Sequence, residues 1–194
     1  MFVGRVRMEL VPHPSKTSRG AIIAAAVEIV DQDGAEDLSM RAVARKLRLA
    51  PNALYYYFRD RKTLEAAVAA EGIRRIHAAL KKAAAGPQGA GAVRRVCRSY
   101  LRFARSHPAL YAAMMRKHPD IPELVAARGD FREFSKGLFA GIGDPRAASK
   151  ANFACWALLH GLVVLERDGL LESPEPLADE SRAISALLAG LPGV

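Results

Sequence analysis

The segment from residue 38 to residue 64, LSMRAVARKLRLAPNALYYYFRDRKTL, constrains the fold of this chain more than any other part of it. Its apolar residues recur at the spacing of buried helix faces, at Val43, Leu47, Leu49, Leu54 and Phe58. Ser39 stands where the N-cap of a first short helix is expected, and Pro51 suits the first position of a second helix because its missing N–H needs no partner there. The segment therefore predicts two short helices that pack across each other around a turn at residues 48–50.

The positive charge of the chain is concentrated in the same segment. Between residues 39 and 62 there are seven Lys or Arg residues and a single acid, Asp60, whereas the whole chain of 194 residues has a net charge of +9. A basic chain could equally bind a membrane surface, but a local excess beside two short helices is typical of contact with nucleic acid phosphates. The segment therefore predicts binding to double-stranded DNA.

An α-helix fits the major groove of B-DNA, where only three or four residues near its N-terminus meet base edges. In the second helix these are Pro51, Asn52 and Ala53, and Asn52 can form two hydrogen bonds with adenine. The residues predicted to hold phosphates are Tyr55, Tyr56, Tyr57 and Lys62. Successive helix positions are rotated by about 100°, so three tyrosines in a row cannot share one face. For one of them, Tyr56 or Tyr57, packing is an equal alternative.

Outside this segment the chain reads as further helices separated by Gly and Pro. Apolar residues recur at helical spacing from Thr17 to Leu188, and Gly- or Pro-containing breakers such as residues 86–89 and 173–176 interrupt the pattern. No convincing alternating pattern of a β-strand occurs. The predicted fold class is therefore all-α, with an N-terminal three-helix helix-turn-helix domain and a C-terminal helical bundle. Residues 1–16 contain two prolines and no period, and are predicted to be a flexible arm.

The two cysteines, Cys97 and Cys155, lie far apart in the sequence and lack the spacing of metal ligands. This argues against a structural zinc site and a disulfide framework, and it favours a reducing cytoplasm. We find neither a signal-peptide pattern nor the roughly 20 uninterrupted apolar residues of a membrane span. We therefore expect a cytoplasmic protein with no membrane partner, no metal and no cofactor.

Three stretches of the N-terminal part resemble the tetracycline-repressor (TetR) family of bacterial transcriptional regulators. They are DQDG at 31–34, LSMRAVA at 38–44 and LYYYFRDRKTL at 54–64, and the likeness covers about residues 17–68. The resemblance implies that residues 51–53 read bases, and that the DNA backbone is contacted by Ser39, Arg41, Tyr55, Tyr57 and Lys62.

The chain departs from the pattern of this family at two positions. Tyr57 stands where a histidine is common, and Ala50 replaces the usual hydroxyl cap of the base-reading helix. The missing cap is expected to cost about 1 kcal/mol of local stability, partly recovered by Pro51.

Further along, the chain is similar to a subgroup of TetR-like regulators whose C-terminal domain carries a Trp-x-x-x-His-Gly motif. The matching stretches are SYLRFA at 99–104, HPALYAAM at 107–114 and WALLHG at 156–161. The resemblance implies a domain that senses a small molecule and dimerises, which divides the chain into a DNA-binding domain at 17–64 and a ligand-binding and dimerisation domain at 65–194. Aromatic, thioether and imidazole groups could line its pocket or simply pack its core, namely Phe103, Tyr111, Met114, Met115, Phe131, Phe134, Phe153, Trp156 and His160.

The last two helices carry more apolar surface than one small domain covers. We therefore predict a two-fold interface of four helices in a homodimer, which would place two base-reading helices about 34–36 Å apart, on successive half-sites of a palindromic operator. A small-molecule effector that favours a different separation would weaken operator binding. These patterns together predict a ligand-responsive transcriptional repressor that is not an enzyme.

Two other functions stay open at this point. A nucleoid-type protein would use the charge without sequence choice, and an enzyme would use Cys97 or Cys155 as nucleophile with a histidine base, taken from His107, His118 and His160. A second basic cluster is either a solvated helix face or a site for an acidic effector, and it comprises Arg94, Arg95, Arg98, Arg102 and Arg105.

Overall fold

The structure is a computed structural model that describes residues 17–140, 144–171 and 176–190. In these ranges the chain forms nine α-helices and no β-strand, which confirms the all-α prediction. The helices are α1 (Arg19–Asp33), α2 (Met40–Lys46), α3 (Pro51–Tyr55), α4 (Arg61–Ala84), α5 (Ala90–Ser106), α6 (Pro108–Met115), α7 (Pro122–Phe139), α8 (Pro145–Arg167) and α9 (Pro176–Ala189). The arm predicted at residues 1–16 lies outside the described residues.

Short polar side chains begin the helices around the basic segment. The Oγ atom of Ser18 accepts a hydrogen bond from the amide of Ala21, and Ser39 Oγ does the same for the amide of Ala42, each at 3.1 Å. The carboxylate of Asp60 caps α4. These caps satisfy amides that the first helical turn leaves unpaired, so the local sequence sets where α1, α2 and α4 start.

The turn between α2 and α3 depends on one strained residue. Arg48 has a φ of 55°, in the left-handed region that non-glycine residues rarely adopt. The amide of Leu49 then reaches back to the carbonyl of Ala44 at 2.9 Å, which turns the chain sharply toward α3. No side chain caps α3, as the alanine at position 50 implies, and Pro51 occupies its first turn.

Two helices are shorter than the sequence pattern predicted. The pattern predicts α3 to about Tyr57, but the helix ends at Tyr55, and the amides of Tyr57 and Phe58 both bond to the carbonyl of Leu54 at 2.9 Å. The pattern predicts α6 to about His118, but the backbone becomes extended at Arg116. His118 folds back instead, and its Nε2 lies 2.7 Å from the carbonyl oxygen of Ala113.

Helix α4 connects the first three helices to the rest of the fold. It packs against α1 and also against α5, α6 and α7, and the predicted domain boundary at residue 64 falls inside this continuous helix. A Cβ atom added at Gly72 would lie 2.7 Å from Met114 Cγ, so this glycine allows the close contact of α4 with α6. Helix α8 packs on α5 and α7, and α9 on α5 and α8.

Helix α8 leaves much of its apolar surface open. Phe153 is 66% exposed, Trp156 41% and Leu165 40%. Within the described ranges, α8 is also the one helix long and apolar enough to span a membrane by length and composition, which is weak evidence by itself. Since α8 packs on α5 and α7 and exposes large apolar groups elsewhere, it is the described helix best suited to meet another protein surface.

Candidate nucleic-acid interface and effector cavities

The outer face of α2, the turn and α3 carries exposed basic and polar side chains. Arg41, Arg48 and Asn52 are exposed and make no side-chain hydrogen bond or ion pair with other described residues. Pro51 is exposed beside Asn52, and Ala53 is half-buried. The described fold therefore presents the three predicted base-reading positions at the first turn of α3, next to cations that are free for phosphates.

The three successive tyrosines point in different directions. Tyr55 is 53% exposed and Tyr56 88%, whereas Tyr57 is half-buried and its hydroxyl donates to the carbonyl oxygen of Thr17 at 3.0 Å. The ring of Tyr56 meets the ring of Tyr57 edge-on at 5.2 Å. The packing role therefore falls to Tyr57 in this conformation, and phosphate contacts by the tyrosines stay predictions.

The N-terminus of α4 lies close in sequence to the end of α3 and adds a further cationic group. Asp60 Oδ1 accepts hydrogen bonds from the Thr63 amide at 2.8 Å and the Thr63 hydroxyl at 2.7 Å, and these bonds lower the pKa of the Asp60 carboxyl. Lys62 is exposed in the first turn of the helix and unpaired among the described residues. The amide end of a helix and a lysine both favour anions, so this corner suits a phosphate.

Ser39 can serve the fold and a ligand at the same time. Its oxygen accepts from the Ala42 amide, which leaves the hydroxyl hydrogen able to donate to a phosphate oxygen. The cap therefore supports the predicted phosphate contact without competing with it.

Arg19, in the first turn of α1, connects the end of α3 to the bundle. Its Nε and Nη2 lie 2.8 and 2.7 Å from Oε1 of Glu123 at the start of α7, and its Nη1 donates to the carbonyl oxygen of Tyr57 at 2.6 Å. The guanidinium carbon of this residue, Arg19, also lies 4.2 Å from the centre of the Phe58 ring. Sequence reasoning missed this junction because Arg19 and Glu123 are 104 residues apart.

A second polar link joins the end of α1 to the corner between α5 and α6. His107 Nδ1 lies 2.7 Å from Oδ2 of Asp31. The predicted pocket residue Phe103 is buried against the His107 ring, with ring centroids 4.9 Å apart. Helix α1 is thus tied to the bundle at both of its ends.

The largest of the described cavities has a volume of about 670 Å³ and lies between α5, α6 and α8. Three predicted pocket residues line it, namely Tyr111, Met115 and His160, together with Arg105 and Glu166. A volume of this size suits a drug-sized molecule.

The other predicted pocket residues line smaller spaces. A cavity of about 180 Å³ is lined in part by Met114, Met115, Phe131 and Trp156, and a space of about 50 Å³ in part by Phe131, Phe134 and Trp156. Phe103 lines none of these three cavities, and Phe153 is largely exposed. The structure therefore distributes the predicted set instead of gathering it around one pocket.

A chain of hydrogen-bonding groups runs from the largest cavity into the core. His160 Nδ1 lies 2.7 Å from the hydroxyl oxygen of Tyr111, which lies 2.8 Å from that of Tyr100. Burial raises the pKa of both tyrosines, so both hydroxyls stay neutral at physiological pH. The Trp156 ring stacks on the His160 ring at 5.7 Å. The Trp-x-x-x-His spacing thus places both rings side by side on α8.

The second basic cluster divides into separate roles. Arg95 donates to the carbonyl oxygens of Ala83, Ala85 and Pro87 at 2.9–3.3 Å and so holds the connection between α4 and α5. Arg105 pairs with Glu166 on α8 at 2.9 Å, and the remaining three arginines, at positions 94, 98 and 102, are exposed. This arrangement favours the interpretation that these arginines form a solvated helix face over the interpretation that they bind an acidic effector.

The all-α fold and the exposed basic face of α2, the turn and α3 define a DNA-binding transcriptional regulator with a helix-turn-helix domain. Residues 22–68 match the family described as bacterial regulatory proteins, tetR family, and residues 93–189 match the tetracyclin repressor-like C-terminal domain. The chain belongs to the TetR family. This is a family of transcriptional regulators and not an enzyme family.

Known relatives agree with this assignment. An uncharacterised HTH-type transcriptional regulator of Mycobacterium tuberculosis is 29% identical over 184 residues, covering 93% of this chain and 84% of the relative. A protein of unknown function from Rhodococcus sp. RHA1 superposes with a TM-score of 0.78 at 25% identity, over 94% of this chain and 98% of that one. A TetR variant of Acinetobacter baumannii in complex with minocycline has a TM-score of 0.64 at 22% identity, over 90% and 96% of the two chains.

Proposed function

We propose that this regulator is a repressor that binds a palindromic operator as a homodimer and leaves it when a small molecule enters the bundle. One observation carries the proposal: the same chain combines an exposed basic face on α2 and α3, which can contact DNA, with a cavity of about 670 Å³ in the bundle. The polar groups at that cavity, Tyr111 and His160, give a bound molecule hydrogen-bonding partners among apolar walls.

The exposed surface of α8 supports the homodimer. Two large apolar side chains one helical turn apart, Phe153 and Trp156, stand open on this helix, and a second copy of the chain would cover them by two-fold symmetry. Two copies would also present two α3 helices to one duplex, as a palindrome requires.

The path from effector to DNA passes through contacts already described. The cavity is bounded by α5, α6 and α8, and the corner between α5 and α6 carries His107, which pairs with Asp31 on α1. A ligand that favours one arrangement of these helices would shift α1 and the helices packed on it. Operator affinity then changes by the difference in the ligand's affinity for the two states.

Binding to a palindrome selected from random duplexes tests the proposal. We expect purified protein to form dimers in light scattering and, at fixed salt, to bind the selected palindrome roughly 1,000-fold or more tightly than a scrambled duplex. Equal affinity for both duplexes would support the nucleoid-type alternative and overturn sequence-specific repression. A monomer that binds no duplex would overturn the proposal altogether.

Replacing Lys62 with alanine should weaken binding to every duplex. The ammonium group at the start of α4 is expected to neutralise one phosphate per subunit, so the slope of log affinity against log salt should fall by about 1 per subunit. Anisotropy titrations over a salt series measure both quantities. Lys82→Ala, at the exposed far end of the same helix, is the control and should bind like the wild type. An unchanged salt slope in Lys62→Ala would contradict a phosphate contact.

Replacing Asn52 with alanine should change base preference more than overall affinity. The amide is exposed at the first turn of α3 and can pair with adenine through two hydrogen bonds, so its loss should relax preference at one base pair per half-site by about tenfold. Competition with operators altered one base pair at a time measures this. The control is Gln32→Ala, which removes an exposed amide from the end of α1. Retained preference at every base pair would show that α3 is misplaced in the groove.

A further inference from the structure

The two cysteines of the chain meet inside the bundle, although 58 residues separate them in the sequence. Their sulfur atoms lie 3.4 Å apart, Cys97 on α5 and Cys155 on α8, and the residues are 1% and 5% exposed. The sequence shows only that they lie far apart along the chain, and the packing of α8 on α5 brings them together. Neither thiol has a role in the proposed function, so the pair needs its own explanation.

The two thiols share one hydrogen bond, in which either sulfur can be the donor. Burial opposes ionisation of both thiols, whereas a hydrogen bond from the neighbouring thiol lowers the pKa of the sulfur that accepts it. Each thiol can therefore stabilise the thiolate of the other, and the thiolate is the nucleophilic form of cysteine.

The pair also adjoins a space that a small oxidant can enter. A cavity of about 50 Å³ is lined by both cysteines and by Tyr100, Phe131 and Trp156. This volume exceeds what one water molecule needs, and hydrogen peroxide is only slightly larger than water. A small neutral oxidant therefore fits beside the sulfurs, whereas a thiol carried by another protein cannot reach them.

We propose that Cys97 and Cys155 form a redox-sensitive dithiol that hydrogen peroxide converts into a disulfide between α5 and α8, weakening DNA binding. One thiol loses its proton and attacks a peroxide oxygen, the O–O bond breaks, and a sulfenic acid forms on that sulfur while the departing oxygen takes up the proton and leaves as water. The other sulfur then loses its proton and displaces the sulfenic oxygen, which takes up that proton and leaves as a second water. Two thiols and one peroxide thus give one disulfide and two waters, and a dithiol reductant reverses the reaction.

The expected loss of DNA affinity follows from the position of the bond and rests on the proposed function. A disulfide requires sulfurs about 2.05 Å apart, so the present 3.4 Å must close by side-chain rotation or by movement of α5 against α8, and the bond then fixes the distance between the two helices. Helix α5 packs along α4, which begins just after α3, and α8 carries the proposed dimer surface. A covalent link that favours one arrangement of these helices shifts the population between the DNA-binding and released states.

Thiol counting on the full-length wild-type protein tests the chemistry without any substitution. After the reductant is removed, equimolar hydrogen peroxide should lower the number of alkylatable thiols in the denatured chain from two to none. The intact mass should fall by two hydrogen atoms, the chain should run as a single polypeptide on a non-reducing gel, and dithiothreitol should restore both thiols. The single tryptophan, Trp156, lines the same cavity as the two cysteines, so its fluorescence should change when the disulfide forms and return when dithiothreitol reduces it.

Single variants test whether both sulfurs are needed. Cys97→Ala and Cys155→Ala each keep one of the two thiols, so peroxide should form no intrachain disulfide in either, and the intact mass of neither should fall by two hydrogen atoms. Two persistent thiols in the wild type, a disulfide only between chains, or direct oxidation to sulfinic acid would each overturn the proposal. These three outcomes are read on the wild type, so a variant that fails to fold does not affect them.

Titration of the selected palindrome with reduced and oxidised protein tests the regulatory step. We expect about a tenfold loss of affinity on oxidation of the wild type, reversed by dithiothreitol and absent in Cys97→Ala. Equal affinity of the reduced and disulfide forms would overturn the regulatory step. If the reduced protein bound no duplex, the proposed repressor function would fail instead, and thiol counting would still decide whether the disulfide forms.

Discussion

Replacing Phe58 with alanine is expected to lower the free energy of unfolding by about 3–5 kcal/mol, the usual cost of removing a fully buried aromatic ring. The Phe58 side chain is 0% exposed and lies just after α3, beneath the guanidinium group of Arg19. Its loss opens a cavity at the junction of α1, α3 and α4, so DNA binding should disappear together with the stability. Urea unfolding followed by circular dichroism measures the change.

A neighbouring tyrosine provides the matched control for this experiment. Tyr56 lies two residues away and is 88% exposed, so Tyr56→Ala should change the free energy of unfolding by no more than about 0.5 kcal/mol. It should still weaken DNA binding if its hydroxyl holds a phosphate. A Phe58→Ala protein as stable as the wild type would contradict the core described here. Phe58→Leu keeps most of the side-chain volume, so its free energy of unfolding should lie between those of the wild type and Phe58→Ala.

Replacing Arg19 with methionine is expected to cost about 2 kcal/mol of stability, since hydrogen bonds to charged groups are the stronger ones. The substitution keeps the chain length and removes the guanidinium group that pairs with Glu123 and holds the Tyr57 carbonyl. It should also reduce the effect of an effector on DNA affinity, because α7 and the end of α3 lose their direct polar link. Unfolding curves and DNA titrations with and without effector measure the two effects.

An arginine in an ordinary surface pair separates this junction from the general loss of a charge. Arg74 pairs with Glu71 at 2.9 Å within α4, on the exposed surface, so Arg74→Met should cost less than about 1 kcal/mol. A double-mutant cycle of Arg19→Met with Glu123→Gln measures the coupling across the two helices. A coupling energy near zero would show that Arg19 acts through Tyr57 and Phe58 and not through Glu123.

Sequence reasoning succeeded where the determining forces act over a few residues. Ser39 was predicted to begin α2 because its oxygen reaches an amide only three residues ahead, and Gly34 ends α1 with a φ of 99° for an equally local reason. The spacing of Val43, Leu54 and Phe58 predicted which faces are buried, and all three are fully buried. The TetR-family expectation rested on the same segment and is confirmed.

The errors in helix length have an equally physical cause. Apolar periodicity continues through Tyr57 and toward His118, but it does not report where the backbone hydrogen bonds change partner. Tyr57 leaves the helix and donates its hydroxyl to Thr17, and His118 bonds to the Ala113 carbonyl. In both cases a side chain gains a partner that the helical pattern does not reveal.

By itself the sequence determined the all-α class, the starts of the helices around the basic segment and the exposed basic face of that segment, because capping, periodicity and charge density all act within a few turns. The tertiary structure alone decided that Arg19 meets Glu123 and that the Cys97 and Cys155 sulfurs lie 3.4 Å apart. Those pairs join residues 104 and 58 positions apart, so they depend on how whole helices pack, which no local pattern records.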